Sequence, residues 1–187
     1  MTGIRTIDRL DKLSGSRAVA AATIAAVFIA LCAHISFYLP GNPVPVTLQV
    51  FGVLCCGILL GPRIGMLAIL EYLVAGLCGA PVFSTVAVGL RSILGPTGGY
   101  LIGFIAAAGV TGYLSKSCGK ITNKQKILAG IAGVTVIYTF GAFWLRCWLS
   151  ATGMNFSGWT AWAIGVAPFM LLDLVKVMMA VAVSRKR

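Results

Sequence analysis

The stretch PFMLLDLVK, residues 168–176, places an acidic and a basic side chain inside the last hydrophobic run of the chain. That run extends from about residue 159 to residue 183, and Asp173 and Lys176 are its only charged residues. Residues three apart on a helix share a face, so the two side chains can meet. Because a charge at the centre of a membrane helix costs at least about 2.5–3.5 kcal/mol, such residues face a bundle interior or a cavity. The pair predicts a ligand site, with an internal ion pair as the alternative.

The composition is that of an integral membrane protein. Of the 187 residues, 59% are hydrophobic and only 10% are charged, whereas about a quarter of a soluble domain is charged. Several apolar runs reach the roughly 18–25 residues that cross a bilayer. The net charge of +11 does not indicate a nucleic-acid partner, because membrane proteins collect Lys and Arg in their cytoplasmic loops.

The sequence contains no pattern typical of an enzyme or a metal site. There are six cysteines and one histidine, His34, without C-x-x-C or other ligand spacing, so the cysteines are expected to be small packing residues. No paired acidic cluster or G-x-S-x-G motif is present. The first seventeen residues are polar and of mixed charge, which is not the pattern of a cleavable signal peptide.

The apolar runs predict an all-α protein with six transmembrane helices, at about 18–38, 48–60, 64–79, 100–114, 127–149 and 159–183. Residues 1–17 form a polar tail, and the whole chain, 1–187, is expected to be one transmembrane domain. Six spans place twelve of the fifteen Lys and Arg residues on the side of the N-terminus. By the positive-inside rule both termini are then cytoplasmic.

Two irregular stretches are expected to cover a pocket on the external side. Residues 39–47, LPGNPVPVT, contain three prolines and cannot be regular helix. Residues 80–99 are interrupted by glycine and proline and are expected to fold back over the mouth of the bundle. Gln49 stands at the head of the second segment, and the turn GPTGGY at 95–100 ends on Tyr100. Backbone amides in this turn are candidate contacts for an anion, although ordinary turn and packing roles remain open.

Small residues at intervals of four mark one face of the first segment. Ala18, Ala22 and Ala26 follow the small-xxx-small pattern that lets membrane helices approach closely. The stripe could pack inside this protein's own bundle or could dock a separate membrane subunit. Glu71 lies inside the third segment and is expected to need a partner, such as a tyrosine hydroxyl or Arg146.

Five motifs, in order along the chain, resemble those of the BioY family: PVPVTLQ at 43–49, GPR at 61–63, GAPVF at 79–83, GPTGGY at 95–100 and DLVK at 173–176. The members of this family are the biotin-specific S components of energy-coupling factor (ECF) transporters. The resemblance implies a six-helix subunit of the bacterial cell membrane that binds biotin externally. It would release biotin inward with a transmembrane coupling protein and paired ATPases. No Walker motif is present, so ATP hydrolysis would lie on another chain.

The resemblance also assigns roles to individual residues. It implies that Asp173 binds the ureido ring of biotin with Lys176 close by, and that the alanine stripe docks the coupling module. Ala87 stands about where some relatives place an asparagine on the ureido ring, and Leu101 where some place an arginine. Arg91 is the candidate replacement at the biotin carboxylate, and Gln49 and Tyr100 are further candidate contacts. The alternative function is a stand-alone, ion-coupled secondary transporter that uses Glu71 or Asp173.

Overall fold

The computed structural model describes residues 15–84, 89–116, 122–153 and 158–185. Its elements in chain order are α1 Ser16–His34, β1 Ser36–Phe37, β2 Val46–Thr47, α2 Gln49–Leu60, α3 Pro62–Leu77, α4 Leu90–Leu94, α5 Gly98–Lys116, α6 Asn123–Ala151, α7 Gly158–Gly165, a 3-10 turn Ala167–Phe169 and α8 Met170–Arg185. The two strands form a short antiparallel hairpin in which Ser36 pairs with Thr47.

Among the described residues, four helical stretches are long and apolar enough to cross a membrane. They are α1, α5, α6 and the combined stretch Trp159–Ser184, which includes α7 and α8. The protein is therefore mostly helical and is a multi-pass membrane protein. The helix α2 is also apolar but has only twelve residues.

The short helix α2 forms the centre of the bundle. Its residues from Gln49 to Ile58 are buried except the half-buried Phe51, and it packs against α1, α3, α5 and α8. Glycine makes the closest of these approaches possible, because a Cβ at Gly57 would overlap the backbone of α5 at Ala108. A helix that is apolar on all sides is expected to be a core helix, which explains how a segment too short for a perpendicular span is accommodated.

The first and last predicted helices differ from the observed ones. The predicted first helix, 18–38, is too long at its C-terminal end, because α1 ends at His34 and Ser36–Phe37 enter the hairpin. The predicted continuous helix 159–183 is wrong, because the chain leaves the α-helix between Gly165 and Met170. Pro168 accounts for this break, since proline lacks a backbone donor and its ring would clash with the carbonyl four residues earlier, at Ile164.

Two carbonyls at the break have hydrogen-bond partners from distant parts of the chain. Asn42 Nδ2 donates to the Ile164 oxygen over 2.8 Å, and Tyr100 Oη donates to the Gly165 oxygen over 2.7 Å. Non-helical backbone within a membrane protein is stable only where such partners replace the lost helix bonds. The break is therefore a fixed feature of the fold, and α8 restarts immediately before Asp173.

The alanine stripe of α1 packs inside the chain. Ala22 is fully buried and Ala26 is 9% exposed, while α1 packs mainly against α3 and α2. Ala18 is half-buried. The docking role expected for Ala22 and Ala26 is corrected accordingly, because both are buried in the chain's own packing. The docking role of Ala18 stays a prediction.

Glu71 on α3 has a hydroxyl partner from α1. Thr23 Oγ1 donates to Glu71 Oε2 over 2.8 Å, in place of the expected tyrosine or Arg146. Arg146 is instead exposed near the end of α6. The contact joins two helices that face each other across an apolar groove.

Candidate functional site

A cavity opens between the hairpin loop, the residues after α3, and the helices α2, α5, α6 and α8. The space between these elements is about 570 Å³ when the open mouth is included. The lining residues are Val44, Pro45, Thr47, Gln49, Val50, Phe83, Ser84, Thr97, Tyr100, Leu101, Phe104, Ile137, Tyr138, Phe169, Asp173 and Lys176. The two stretches predicted to cover a pocket thus both contribute to the wall of this cavity.

Asp173 lies at the polar end of the cavity with a donor on each carboxylate oxygen. Lys176 Nζ is 2.6 Å from Oδ1, and Tyr138 Oη donates to Oδ2 over 2.6 Å. Asp173 is only 2% exposed and Lys176 only 7%. Asp173 also lies in the first turn of α8, where the helix dipole favours a negative charge. The predicted pair therefore meets, faces the cavity, and has Tyr138 as a third member.

No pattern in the sequence pointed to Tyr138. This residue lies 35 positions before Asp173, in the middle of a hydrophobic helix where tyrosine is unremarkable. Its neighbour Ile137 is a core residue. Only the packing of α6 against α8 brings the phenol to the carboxylate.

Gln49 links the cavity wall to the loop that follows α3. Its Nε2 donates to Tyr72 Oη over 2.6 Å, and Tyr72 Oη donates to the Val82 oxygen over 3.2 Å. The rings of Tyr72 and Phe83 meet edge to face with centroids 5.4 Å apart. Gln49 is 3% exposed and lines the cavity. The candidate contact Gln49 thus lies at the site and also fixes the position of the loop residues that cover it.

Tyr100 reaches the cavity while its hydroxyl stabilises the helix break. The ring lies so close to α6 that a Cβ at Gly141 would overlap it, and the hydroxyl donates to Gly165. Tyr100 therefore forms part of the wall as predicted by its position. Its hydroxyl hydrogen is used in the bond to Gly165, so its oxygen lone pairs and its ring face are available to a ligand.

The glycine-rich turn before Tyr100 is a packing device. A Cβ at Gly99 would overlap Trp144, whose Nε1 donates to the Gly95 oxygen over 2.9 Å. The amides of Gly98 and Leu101 donate within the turn, to Gly95 and Thr97, at 3.2 Å each. The expected anion contact at these two amides is therefore wrong, because both already have acceptors.

Arg91 does not lie at the cavity. It is exposed on the short helix α4 and is absent from the lining, whereas its neighbour Ser92 is 2% exposed. Consecutive helical residues point about 100° apart, so the burial of Ser92 turns Arg91 outward. The contact predicted for Arg91 is corrected accordingly. Leu101 lines the cavity as an apolar wall residue, and Ala87 lies outside the described residues.

The cavity combines a neutral polar end with apolar walls. The charges of Asp173 and Lys176 cancel, and the described lining contains no other charged side chain. Val50, Phe104 and Phe169 supply apolar surface. Within the described parts of the chain, no three His, Cys, Asp or Glu side chains are grouped to bind a metal. The arrangement suits an uncharged head group with N–H donors on an apolar body.

The chain matches known proteins along almost its whole length. The BioY family model matches residues 6–187. A probable biotin transporter BioY of Pyrococcus horikoshii is 39% identical over 167 residues, which are 88% of this chain and 93% of that protein. The biotin transporter BioY of Thermotoga maritima is 36% identical over 146 residues, 78% and 82% of the two chains.

The fold has a close counterpart among solved structures. The crystal structure of the S-component for biotin from an ECF-type ABC transporter superposes with a TM-score of 0.81. The superposition covers 91% of this chain and 89% of that one at 24% identity, and so it establishes the likeness of fold. With the family match over residues 6–187 and the relatives above, the chain belongs to the BioY family.

Proposed function

We propose that this chain is the biotin-binding S component of an ECF transporter. The observation that supports this most strongly is the cluster of Asp173, Lys176 and Tyr138 in a cavity whose other described lining residues are uncharged and mostly apolar. Relatives with 36–39% identity are named biotin transporters. The cavity and these names support the same ligand.

The chemistry of biotin matches the cavity from one end to the other. Its ureido ring has two N–H donors, for which the carboxylate of Asp173 is an acceptor, and a carbonyl that Lys176 can reach as a donor. The thioether ring and the valerate chain are apolar and suit Val50, Phe104 and Phe169. We place the carboxylate of biotin near the mouth, where Thr47 and Ser84 lie on the two covering stretches.

We further propose six membrane crossings with both termini in the cytoplasm of a bacterial cell. Four long helical stretches provide four crossings. The fifth and sixth are α2 and α3, which are joined by Gly61 alone at φ 82°. The distribution of twelve basic residues on the N-terminal side supports this orientation. The cavity then faces outward, and the chain captures biotin from the external side.

The proposed partners are a transmembrane coupling protein and a pair of ATPases. The sequence has no Walker motif, so the chain needs another protein if ATP drives release inward. The alternative, stand-alone ion-coupled transport, differs in its energy source. Uptake of labelled biotin that stops on ATP depletion and persists after collapse of the proton gradient supports the coupling module. The opposite pattern supports the secondary transporter.

The first test is binding of biotin to the purified protein. Replacing Asp173 by Asn or Ala should weaken binding by about 100-fold, because loss of one member of a buried charge pair costs several kcal/mol. Arg91→Ala is the matched control and should bind like the wild type, since Arg91 is exposed and outside the cavity. Calorimetric titration of monodisperse protein measures both effects. Wild-type affinity in the Asp173 variants would refute the site.

A further inference from the structure

We propose that Tyr138 determines ligand specificity: with Lys176 it orients Asp173 and offsets its negative charge, so that the site selects a neutral ureido group over a cationic analogue. The inference rests on the proposed function, because it takes biotin as the ligand. It concerns a residue that sequence patterns did not single out. Its basis is the geometry of the carboxylate and the origin of its two donors.

Each oxygen of Asp173 accepts from a different helix position. Lys176 contacts Oδ1 and Tyr138 contacts Oδ2, both at 2.6 Å. All three side chains line the cavity, and Asp173 is 2% exposed. A ligand therefore meets a carboxylate that already accepts two hydrogen bonds and retains further lone pairs.

Tyr138 fixes the carboxylate in a way that Lys176 cannot. Lys176 lies on the same helix as Asp173 and moves with it. That helix, α8, begins at Met170 directly after the 3-10 turn, so its first turn is not continued by a helix on the N-terminal side. Tyr138 lies on α6, a helix of 29 residues that packs extensively against α5. Its hydroxyl ties Oδ2 to a separate rigid element and so sets the direction in which the free lone pairs point.

The same contacts set the charge that a ligand meets. A bare buried carboxylate would favour a guanidinium, which binds carboxylates with two parallel hydrogen bonds. Here the ammonium of Lys176 cancels the charge and the phenol dipole of Tyr138 reduces the remaining potential. The other polar side chains in the described part of the lining are uncharged: Thr47, Gln49, Ser84, Thr97 and Tyr100. A neutral N–H donor is therefore accepted, while a cation meets a like charge at Lys176.

The test compares biotin with 2-iminobiotin, in which the ureido oxygen is replaced by an imine so that the ring is a guanidinium cation at neutral pH. The wild type should prefer biotin. Tyr138→Phe should bind biotin about tenfold more weakly, the scale expected for a hydrogen bond to a charged group. The affinity of the same variant for 2-iminobiotin should fall less or should rise, because Asp173 Oδ2 no longer accepts a hydrogen bond from Tyr138 and is more negative. The ratio of the two affinities should therefore shift toward 2-iminobiotin.

Two further variants make the result specific. Lys176→Met should also shift the ratio of affinities toward 2-iminobiotin. Its shift should be larger than that of Tyr138→Phe, because it removes a full positive charge. Tyr38→Phe removes the same hydroxyl from a tyrosine that is 51% exposed and outside the cavity lining, and should change neither affinity. A purely structural role of Tyr138 would weaken both ligands equally and leave the ratio unchanged.

The outcomes separate this inference from the function on which it rests. An unchanged ratio in Tyr138→Phe overturns the role of Tyr138 even if biotin binds well. Tighter binding of 2-iminobiotin than of biotin by the wild type overturns it without any variant. Absence of biotin binding by folded wild-type protein refutes the proposed function itself.

Discussion

The ring of Phe83 lies directly over Gly76 of α3. A Cβ at position 76 would overlap the ring, which also meets Tyr72 edge to face and lines the cavity. Gly76→Ala should therefore displace Phe83 and destabilise the protein by about 1–3 kcal/mol, the usual cost of overpacking. It should also weaken biotin binding. Thermal unfolding in detergent and titration with biotin measure the two effects.

Gly52→Ala is the control for that substitution. Gly52 is also a helical glycine, but a Cβ there would meet Cys32 Sγ at 3.5 Å, an ordinary contact distance. Alanine is the better helix former, so stability should be unchanged or slightly higher. If both alanine variants behave alike, the contact between Gly76 and Phe83 does not position the cover of the cavity.

The Tyr100 hydroxyl offers a second prediction for a single residue. Tyr100→Phe leaves the Gly165 carbonyl, now bonded at 2.7 Å, without its donor in a buried position. The expected loss of stability is about 1–3 kcal/mol, seen as a lower midpoint of thermal unfolding, whereas Tyr38→Phe should leave the midpoint unchanged. Equal midpoints for the two variants would mean that water replaces the hydroxyl at the break.

The sequence allowed the charged members of the site to be predicted, but not the tyrosine that binds them. Asp173 and Lys176 were predicted as a pair because their cost in a membrane helix is high, and the structure joins them at 2.6 Å. Tyr138 carries no such cost and so gave no signal. Arg91 was assigned by charge alone, and that assignment is wrong because the orientation of α4 decides which of its residues faces inward.

The interruption between α7 and α8 is the element on which the site depends. Asn42 connects it to the hairpin loop, since its Nδ2 donates to Ile164 while its Oδ1 accepts from the Val44 amide at 2.9 Å. Asn42→Asp keeps the acceptor for Val44 and loses the donor to Ile164. We expect faster dissociation of biotin and a lower unfolding midpoint, because a partly buried carbonyl then faces a carboxylate.

Asn42→Ala separates the two contributions of that residue. It removes both hydrogen bonds without adding a negative charge, and should lower the midpoint while releasing the hairpin loop from the break. Dissociation rates of labelled biotin from the two variants give the comparison. A wild-type rate in Asn42→Asp would show that the contact with Ile164 does not influence the ligand.

Hydropathy analysis could not predict the break between α7 and α8. An 18-residue window within residues 159–184 reaches a mean hydropathy of 2.1, so hydropathy alone indicates one continuous span. Pro168 was visible in the sequence, but proline is tolerated within many membrane helices. The decisive facts are the partners Asn42 and Tyr100, which come from segments far away in sequence.

At the scale of the whole molecule, the six-span topology predicts which cysteines face outward. In single-cysteine variants, Cys78, which is exposed just after α3, should react with a membrane-impermeant maleimide added to intact cells. Cys118 belongs to the predicted cytoplasmic connection, outside the described residues, and should react only after permeabilisation. Labelling followed by gel shift measures both. The reverse pattern would invert the proposed orientation.

The helical membrane class and most segment positions followed from composition and hydrophobic runs. The predicted segment 48–60 matches α2, Gln49–Leu60, within one residue. The sequence did not indicate that α2 would lie at the centre, because an apolar helix can face lipid or protein equally well. Which alanines of α1 would be buried depended on the same unknown neighbours.

The helix α3 has a consequence for the bilayer itself. Its 16 residues include Leu70, Val74 and Leu77 on an exposed face, yet at 1.5 Å per residue they extend only about 24 Å. A hydrocarbon core is about 30 Å thick, so in the six-span topology proposed above this flank would produce a negative hydrophobic mismatch and thin the lipid beside it. Thinning brings the headgroup region closer to Glu71, six residues from the end of the helix. In that topology the protein would lower the cost of its own half-buried carboxylate by deforming the membrane next to it.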